Sequence, residues 1–185
     1  KILICTKNHD FGSSDIYTEI ISDKITEFKG VNVIYLSKMN IPSVAKVVDE
    51  FSPDIIYLNS FFSRLTQLVC FLNHVKYNKR IVIAPRGELQ VNALKIKYVK
   101  KSVYQFFYKI LKIQKNMLFH STDIIESDSI KKLLKTNNIT EIKNVVKVYK
   151  FKPLVKDDNA LKIIFVSRIS KKKNLLFALR LLKFI

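Results

Sequence analysis

The sequence predicts an α/β fold in which a parallel β-sheet carries helices on both faces. Short apolar runs rich in Ile and Val alternate along the chain with segments whose apolar residues recur every three or four positions. The runs are apolar almost throughout, which is typical of strands buried on both faces of a parallel sheet. With 185 residues and 48% hydrophobic content, the chain has enough apolar material for one complete core.

The first half of the chain repeats a strand–helix unit. The apolar run 1–6 predicts the first strand, and a polar turn at 12–15 leads into a helical pattern that extends to about Lys29, with Gly30 as its C-cap. The elements that follow are strand 31–36, a helix at about 43–50 that stops before Pro53, strand 54–59 and a helix at about 64–75.

The second half continues the alternation and contains a strongly cationic segment. Strand 80–84 ends at a turn, Pro85-Arg86-Gly87-Glu88. From 94 to 115, lysines interleave with apolar residues at helical spacing, which predicts a helix with a buried stripe and a cationic face. A short strand at 117–120, a helix at 127–134 and a strand at 145–148 are predicted next.

A polar, charged stretch at 152–159 has the composition of a linker, and the apolar run 161–166 then begins a new strand that leads to a helix from about Leu175. We therefore predict a first domain at 1–150, a linker at 151–160 and the start of a second domain at 161–185.

The chain is strongly basic, with 33 Lys and Arg against 15 Asp and Glu. A formal charge of +18 favours phosphates, anionic lipid or nucleic acid without choosing among them, and a biased genome composition would explain part of it. Cys5 and Cys70 lie in apolar runs without metal-type spacing, which indicates a reducing compartment. Because no apolar stretch approaches the roughly 20 residues of a membrane span, we expect a cytoplasmic protein.

A loop with four cations lies between strand 161–166 and the following helix. Backbone N–H groups and the helix dipole favour a phosphate at such a position, where Arg168 would bind it bidentately and Lys173 would add a point charge. The alternative is a solvated charge run.

Three ordered motifs resemble the group 1 family of retaining GT-B glycosyltransferases (family 4 type). The segment 165–176 is similar to the start of that family's second domain, with Ser167 and Asn174 in place of two common glycines. The Pro85-Arg86-Gly87-Glu88 loop and His120-Ser121-Thr122, with Glu126 beyond it, resemble motifs of a polysaccharide-building branch of the family.

The resemblance implies two Rossmann-like domains and a hexosyltransferase that uses a nucleotide-sugar donor and a glycan or lipid-linked acceptor in surface polysaccharide or lipopolysaccharide synthesis. Arg168 and Lys173 would then hold the donor diphosphate. The family's acidic pair lies downstream of residue 185, so we expect the chain alone to be inactive. No cofactor and no metal are expected, because the nucleotide sugar is a substrate.

The expected acceptor side of the site comprises Gly12, Ser13, Arg86, Gly87, Glu88 and His120. Arg86 would bind an acceptor phosphate or hydroxyl, Gly87 would permit close approach, and Glu88 would orient a hydroxyl or Arg86 itself. For the loop of Gly12 and Ser13 the alternative is an ordinary helix cap with Ser14 or Asp15 at the N-cap, and for His120 the sequence alone favours a buried, hydrogen-bonded histidine at a strand end.

Other functions remain open at this level. The cationic helix at 94–115 either packs on the sheet with solvated lysines or docks on an anionic membrane, at the inner face of the plasma membrane. A basic module that binds nucleic acid or membrane without catalysis is the main alternative to the enzyme, although no nucleic-acid motif is present and no specific nucleic acid is expected. A noncatalytic domain that assists a partner is a third.

Overall fold

The computed structural model describes residues 1–10, 12–95, 98–110, 117–145, 163–167 and 173–183, with the backbone alone at Phe107. The chain divides into two compact units, Lys1–Val145 and Val146–Ile185. The described part of the first unit is a mixed α/β structure with two sheets, and the described part of the second contains a short helix.

The larger sheet has four strands, all parallel, and each is hydrogen-bonded to the next one along the chain. This arrangement, with helices between successive strands, is consistent with the predicted Rossmann-like class. The strands and helices of this region are β4 (Ile55–Asn59), α2 (Arg64–Leu72), β5 (Arg80–Ala84), α3 (Val91–Leu94), α4 (Tyr98–Ile110), β6 (Met117–Ser121), α5 (Ile124–Leu134) and β7 (Ile139–Glu141).

The hydrophobic core lies on one face of this sheet. Alternate strand residues such as Leu58, Ile83 and Phe119 point to that face and are buried against Val69 of α2, Tyr108 of α4 and Ile130 and Leu134 of α5. Strands that follow one another in a single direction send right-handed crossovers to the same face, which accounts for this placement. On the opposite face the side chain of Tyr57 is 45% exposed.

The smaller sheet has the order β1-β3-β2, built from β1 (Leu3–Lys7), β2 (Ile25–Phe28) and β3 (Val31–Leu36). β1 and β3 are parallel, whereas β2 and β3 form an antiparallel hairpin. Lys29 and Gly30 connect them with positive φ angles of 50° and 78°, the pattern of a type I′ turn. The predicted helix that ends near Lys29 is therefore wrong, and Gly30 is a hairpin residue rather than a helix cap.

Contacts with β3 explain why no helix forms before β2. The backbone N–H of Asp23 donates to the Tyr35 carbonyl at 2.8 Å, and the Asp23 carboxylate accepts from the backbone N–H and the hydroxyl of Ser37. These hydrogen bonds to Ser37 lower the pKa of Asp23. Asp23 itself has a φ of 62°, which an α-helix does not allow.

The other helices agree with the sequence in type and differ in extent. α1 spans Ile41–Phe51, with Asn40 as its N-cap, and α2 is continued by a π-helical segment, Asn73–Tyr77. The predicted helix at 94–115 is observed as α4 over 98–110, whereas α3 ends at Leu94, and residues 96–97 and 111–116 lie outside the described part. β7 forms at 139–141, while most of the strand predicted at 145–148 is outside the described residues.

In the second unit, α6 (Leu175–Leu181) confirms the predicted helix. Residues 163–166 have no strand assignment, so this described part of the predicted strand 161–166 is not observed as a strand. Within the described residues of both units, no helix has the length and apolar character needed to cross a membrane.

An apolar cavity of about 410 Å³ is present in the first unit. Its lining includes Cys5 of β1, Val44 of α1 and Ile56 of β4. Burial in these surroundings raises the pKa of the Cys5 thiol to about 11, because the thiolate is poorly solvated there.

Candidate functional site

Polar side chains meet at the carboxyl ends of the four parallel strands. Tyr57 and Asn59 belong to β4, Arg86 follows β5, His120 belongs to β6, and Asn144 follows β7. Hydrogen bonds connect all five side chains into one group, which we call the strand-end cluster. In open α/β sheets, ligands bind beyond this edge of the sheet.

Arg86 is at the centre of the strand-end cluster. Its guanidinium group donates to Asn59 Oδ1 at 3.2 Å, to Asn144 Oδ1 at 2.9 Å and to the hydroxyl of Tyr57 at 3.2 Å. All three acceptors are neutral. Arg86 forms no ion pair with a described carboxylate, so its positive charge is held in place without being neutralised by the described residues.

The backbone of Arg86 adopts a conformation that is costly for its residue type. Arg86 and Gly87 have φ angles of 54° and 76°, and the N–H of Glu88 donates to the carbonyl of Pro85, which closes a tight turn. A left-handed conformation costs a non-glycine residue about 1–2 kcal/mol. Strain of this kind is often found where a side chain must be presented to a ligand.

Tyr57 and His120 form a hydrogen-bond chain with a fixed direction. His120 Nε2 lies 2.8 Å from the carbonyl oxygen of Ile142, which only accepts, so Nε2 carries the ring proton of the neutral histidine. Nδ1 then accepts from the Tyr57 hydroxyl at 2.5 Å, while the same hydroxyl oxygen accepts from Arg86. The three hydrogen bonds are thus donated in one direction, from Arg86 to Tyr57, from Tyr57 to His120 and from His120 to the carbonyl of Ile142.

The two sequence motifs of the first unit are joined by Glu126. This side chain is only 1% exposed, and its Oε1 accepts from the backbone N–H of Gly87 at 2.6 Å. Its Oε2 accepts from the N–H of Thr122 at 2.8 Å and from the Thr122 hydroxyl at 2.9 Å. Glu126 therefore connects two segments, the turn that contains Arg86 and the loop that follows His120.

Glu88 has a similar anchoring position on the other side of the turn. Its carboxylate accepts from the backbone N–H groups of Phe61 and Phe62 at 2.7 and 2.9 Å and from the hydroxyl of Ser60. These contacts hold the loop between β4 and α2. In the structure the oxygens of Glu88 contact this loop. The role expected for Glu88, orienting an acceptor hydroxyl or Arg86, stays a prediction.

Gly12 and Ser13 lie in the loop after β1, in the part of the first unit that holds the smaller sheet. The hydroxyl of Ser13 donates to the Asp15 carboxylate at 3.0 Å and accepts from the Asp15 N–H at 2.9 Å. A cavity of about 500 Å³ beside it is lined by three carboxylates, those of Asp10, Asp15 and Glu19. Carboxylates repel a phosphate, so the surroundings of Ser13 do not resemble a phosphate cradle.

One carboxylate of this loop also acts on a tyrosine. The hydroxyl of Tyr17 donates to Asp10 at 2.7 Å, and this hydrogen bond raises the pKa of Tyr17 because it favours the protonated phenol.

The two residues expected to hold a donor diphosphate are in the second unit. Arg168 lies outside the described residues. Lys173 is exposed and precedes Asn174, which has a φ of 49° and is the N-cap of α6. The proposed pairing of Arg168 and Lys173 around a phosphate stays a prediction.

Of the six residues expected on the acceptor side, Arg86 and His120 share the strand-end cluster, Gly87 and Glu88 support its turn, and Gly12 and Ser13 belong to another loop. Sequence reasoning missed Tyr57, Asn59 and Asn144. Asn59 had a signal, because it is a polar residue at the end of an apolar run. Asn144 had none, since β7 itself is short and polar.

No protein-family model, curated protein or solved structure matches this chain. The resemblance to family 4 glycosyltransferases therefore rests on the sequence motifs alone. Among the described His, Cys, Asp and Glu residues, no group of three or more is placed to hold a metal ion.

Proposed function

We propose that this protein is a retaining glycosyltransferase that transfers a hexose from a nucleotide sugar to a glycan or lipid-linked acceptor in the synthesis of a surface polysaccharide or lipopolysaccharide. The observation that carries the proposal is the guanidinium of Arg86, which is held by three neutral acceptors at the carboxyl edge of a parallel sheet. Such a group is suited to a phosphate or to sugar hydroxyls.

In the proposed reaction, the bond between the anomeric carbon and the donor diphosphate breaks, and the diphosphate leaves with the electron pair. The oxygen of an acceptor hydroxyl forms the new bond on the same face of the sugar, and its proton passes to the departing diphosphate. Arg168 and Lys173 would stabilise the charge on the leaving diphosphate. The strand-end cluster would align the acceptor, with Arg86 as its charged contact.

Binding of an anion by the strand-end cluster is tested by isothermal titration of the full-length protein with inorganic pyrophosphate. Arg86→Gln removes the charge, and we expect it to weaken binding about tenfold or more, since a hydrogen bond to a charged group contributes roughly 1.5–3 kcal/mol. Arg64→Gln is the matched control, because Arg64 is exposed and belongs to the same unit at the start of α2. Equal affinities for the wild type and Arg86→Gln would refute the proposed role of Arg86.

Transfer itself is tested by the release of nucleoside diphosphate from a panel of nucleotide hexoses, with and without polyprenyl-diphosphate glycans as acceptors. Acceptor-dependent release that is lost in Arg168→Ala would support the donor site. If the full-length protein releases no nucleoside diphosphate and binds no nucleotide sugar, the enzyme proposal fails, whatever the strand-end cluster binds.

The proposal includes a cytoplasmic location, because nucleotide sugars are cytoplasmic substrates. The competing idea of a basic nucleic-acid module is separated by a mobility shift with random oligonucleotides at physiological salt, where purely electrostatic binding is weak.

A further inference from the structure

Helix α4 has two different apolar faces. Its inner face carries Tyr104 and Tyr108, whose rings lie 5.4 and 5.0 Å from the ring of Phe61, measured between centroids. Tyr108 is fully buried in the core. The inner face therefore packs α4 against the hydrophobic core of the first unit.

The outer face of α4 carries a second apolar stripe, which we define as Val99, Val103, Phe106 and Ile110. With 100° of rotation per residue, these positions fall within about 60° of one another and lie opposite the two tyrosines. Val99 is 72% exposed, Val103 51% and Ile110 56%, and Phe106 is exposed as well. A contiguous exposed apolar stripe on a helix is a common feature of interaction surfaces.

Two lysines flank the outer stripe. Lys100 and Lys109 lie about 90° from its centre, one on each side, as the same helical geometry requires. Lys101, by contrast, points inward: its ammonium lies 4.8 Å from the centroid of the Phe62 ring and donates to the Ala93 carbonyl at 2.7 Å. Of the three lysines of α4, Lys101 therefore contacts the rest of the protein, whereas Lys100 and Lys109 border the exposed stripe.

We infer that the outer stripe of α4 docks on an anionic lipid surface. An apolar stripe bordered by lysines matches the interface of a bilayer, where the apolar side chains enter the acyl boundary and the lysines reach back to the headgroups. The net charge of +18 adds a long-range attraction to acidic lipids. Because the inference rests on the surface of α4 and on the net charge, it is independent of any catalytic activity.

The test measures flotation of the full-length protein with vesicles of phosphatidylcholine and phosphatidylglycerol, compared with vesicles of phosphatidylcholine alone. A lysine near an anionic surface contributes a factor of about five to partitioning, so the double variant Lys100→Gln/Lys109→Gln should bind about 25-fold more weakly. The control is Lys24→Gln/Lys29→Gln, which removes the same charge away from α4. Both lysines are exposed, and they lie immediately before and after β2 in the smaller sheet. Val99→Ser/Val103→Ser should weaken binding about tenfold or more, through lost apolar burial.

Insertion of the stripe is monitored by the fluorescence of an introduced tryptophan. Its signal is unambiguous because the chain has no tryptophan of its own. Phe106→Trp should shift its emission to the blue when anionic vesicles are added, whereas Phe71→Trp on α2 should not. Far-UV circular dichroism of each variant establishes that it is folded.

Several results would overturn the inference. Equal binding to neutral and anionic vesicles, or unchanged binding in both double variants of α4, would exclude docking by this stripe. Self-association in the absence of lipid that Val99→Ser/Val103→Ser abolishes, without vesicle binding, would identify a protein interface instead. Binding of oligonucleotides but not vesicles, lost in Lys100→Gln/Lys109→Gln, would assign the lysines to nucleic acid.

Discussion

Replacing Glu126 with Gln should destabilise the protein more than its small chemical change suggests. The glutamine keeps the shape of the side chain but only one acceptor oxygen. If that oxygen retains both bonds from Thr122, the new amide N–H groups face the N–H of Gly87, and the 2.6 Å hydrogen bond is lost. A buried hydrogen bond to a charged group contributes roughly 1.5–3 kcal/mol, so we expect the free energy of unfolding to fall by about 2–3 kcal/mol.

The assay is urea unfolding followed by far-UV circular dichroism. With an m-value near 2 kcal/mol/M, the midpoint of Glu126→Gln should fall by about 1 M or slightly more. Glu50→Gln is the control, because among the described residues Glu50 takes part only in an exposed ion pair with Lys46 at 3.8 Å. It should change the free energy of unfolding by less than about 0.5 kcal/mol. If the two variants have the same midpoint, Glu126 does not join the two loops as described.

Three further outcomes are expected. Gly30→Ala should lower the free energy of unfolding by about 1–2 kcal/mol, because the hairpin turn needs a φ of 78°, and thermal unfolding should show the loss; an unchanged melting temperature would contradict the turn. Lys135→Gly should instead raise the free energy of unfolding by about 0.5–1 kcal/mol in the same measurement, since Lys135 ends α5 with a φ of 52°; a loss of stability would contradict this. At neutral to mildly alkaline pH the Cys5 thiol, with a pKa of about 11 instead of 9.0, should react with iodoacetamide about 100-fold more slowly than an ordinary thiol. Because the folded-state pKa is raised, the contribution of the buried thiol to stability should be present below pH 9.0 and lost as the pH approaches about 11, and rapid alkylation at neutral pH would contradict its burial.

The sequence predicts three of the four strands of the larger sheet well because their signal is local. β4, β5 and β6 are uninterrupted apolar runs between helices, and their positions agree with the structure. The segment before β2 was misjudged because Ile16, Ile20 and other apolar residues are spaced as in a helix, whereas hydrogen bonds to β3, distant in the chain, determine its structure. A periodicity argument does not detect such pairing.

The candidate site is divided in the same way. Arg86 and His120 stand at strand ends that the sequence reveals, so their convergence on one edge of the sheet was predictable. Tyr57 was not, since an aromatic residue within an apolar run has the appearance of a core residue. The joining of Gly87 to Glu126 depends on a contact across 39 positions of sequence, which motif spacing does not reveal.

The hydrogen bonds from Arg86 to Tyr57 and from Tyr57 to His120 make the position of the Arg86 guanidinium depend on His120, although these two side chains share no hydrogen bond. In His120→Phe the Tyr57 hydroxyl would lose the Nδ1 acceptor that fixes its hydrogen, so its lone pair would no longer be held toward Arg86. Tyr57→Phe would sever this communication and leave the arginine attached only to the two asparagines. Tyr57 therefore helps to determine how rigidly the guanidinium of Arg86 is positioned for a ligand.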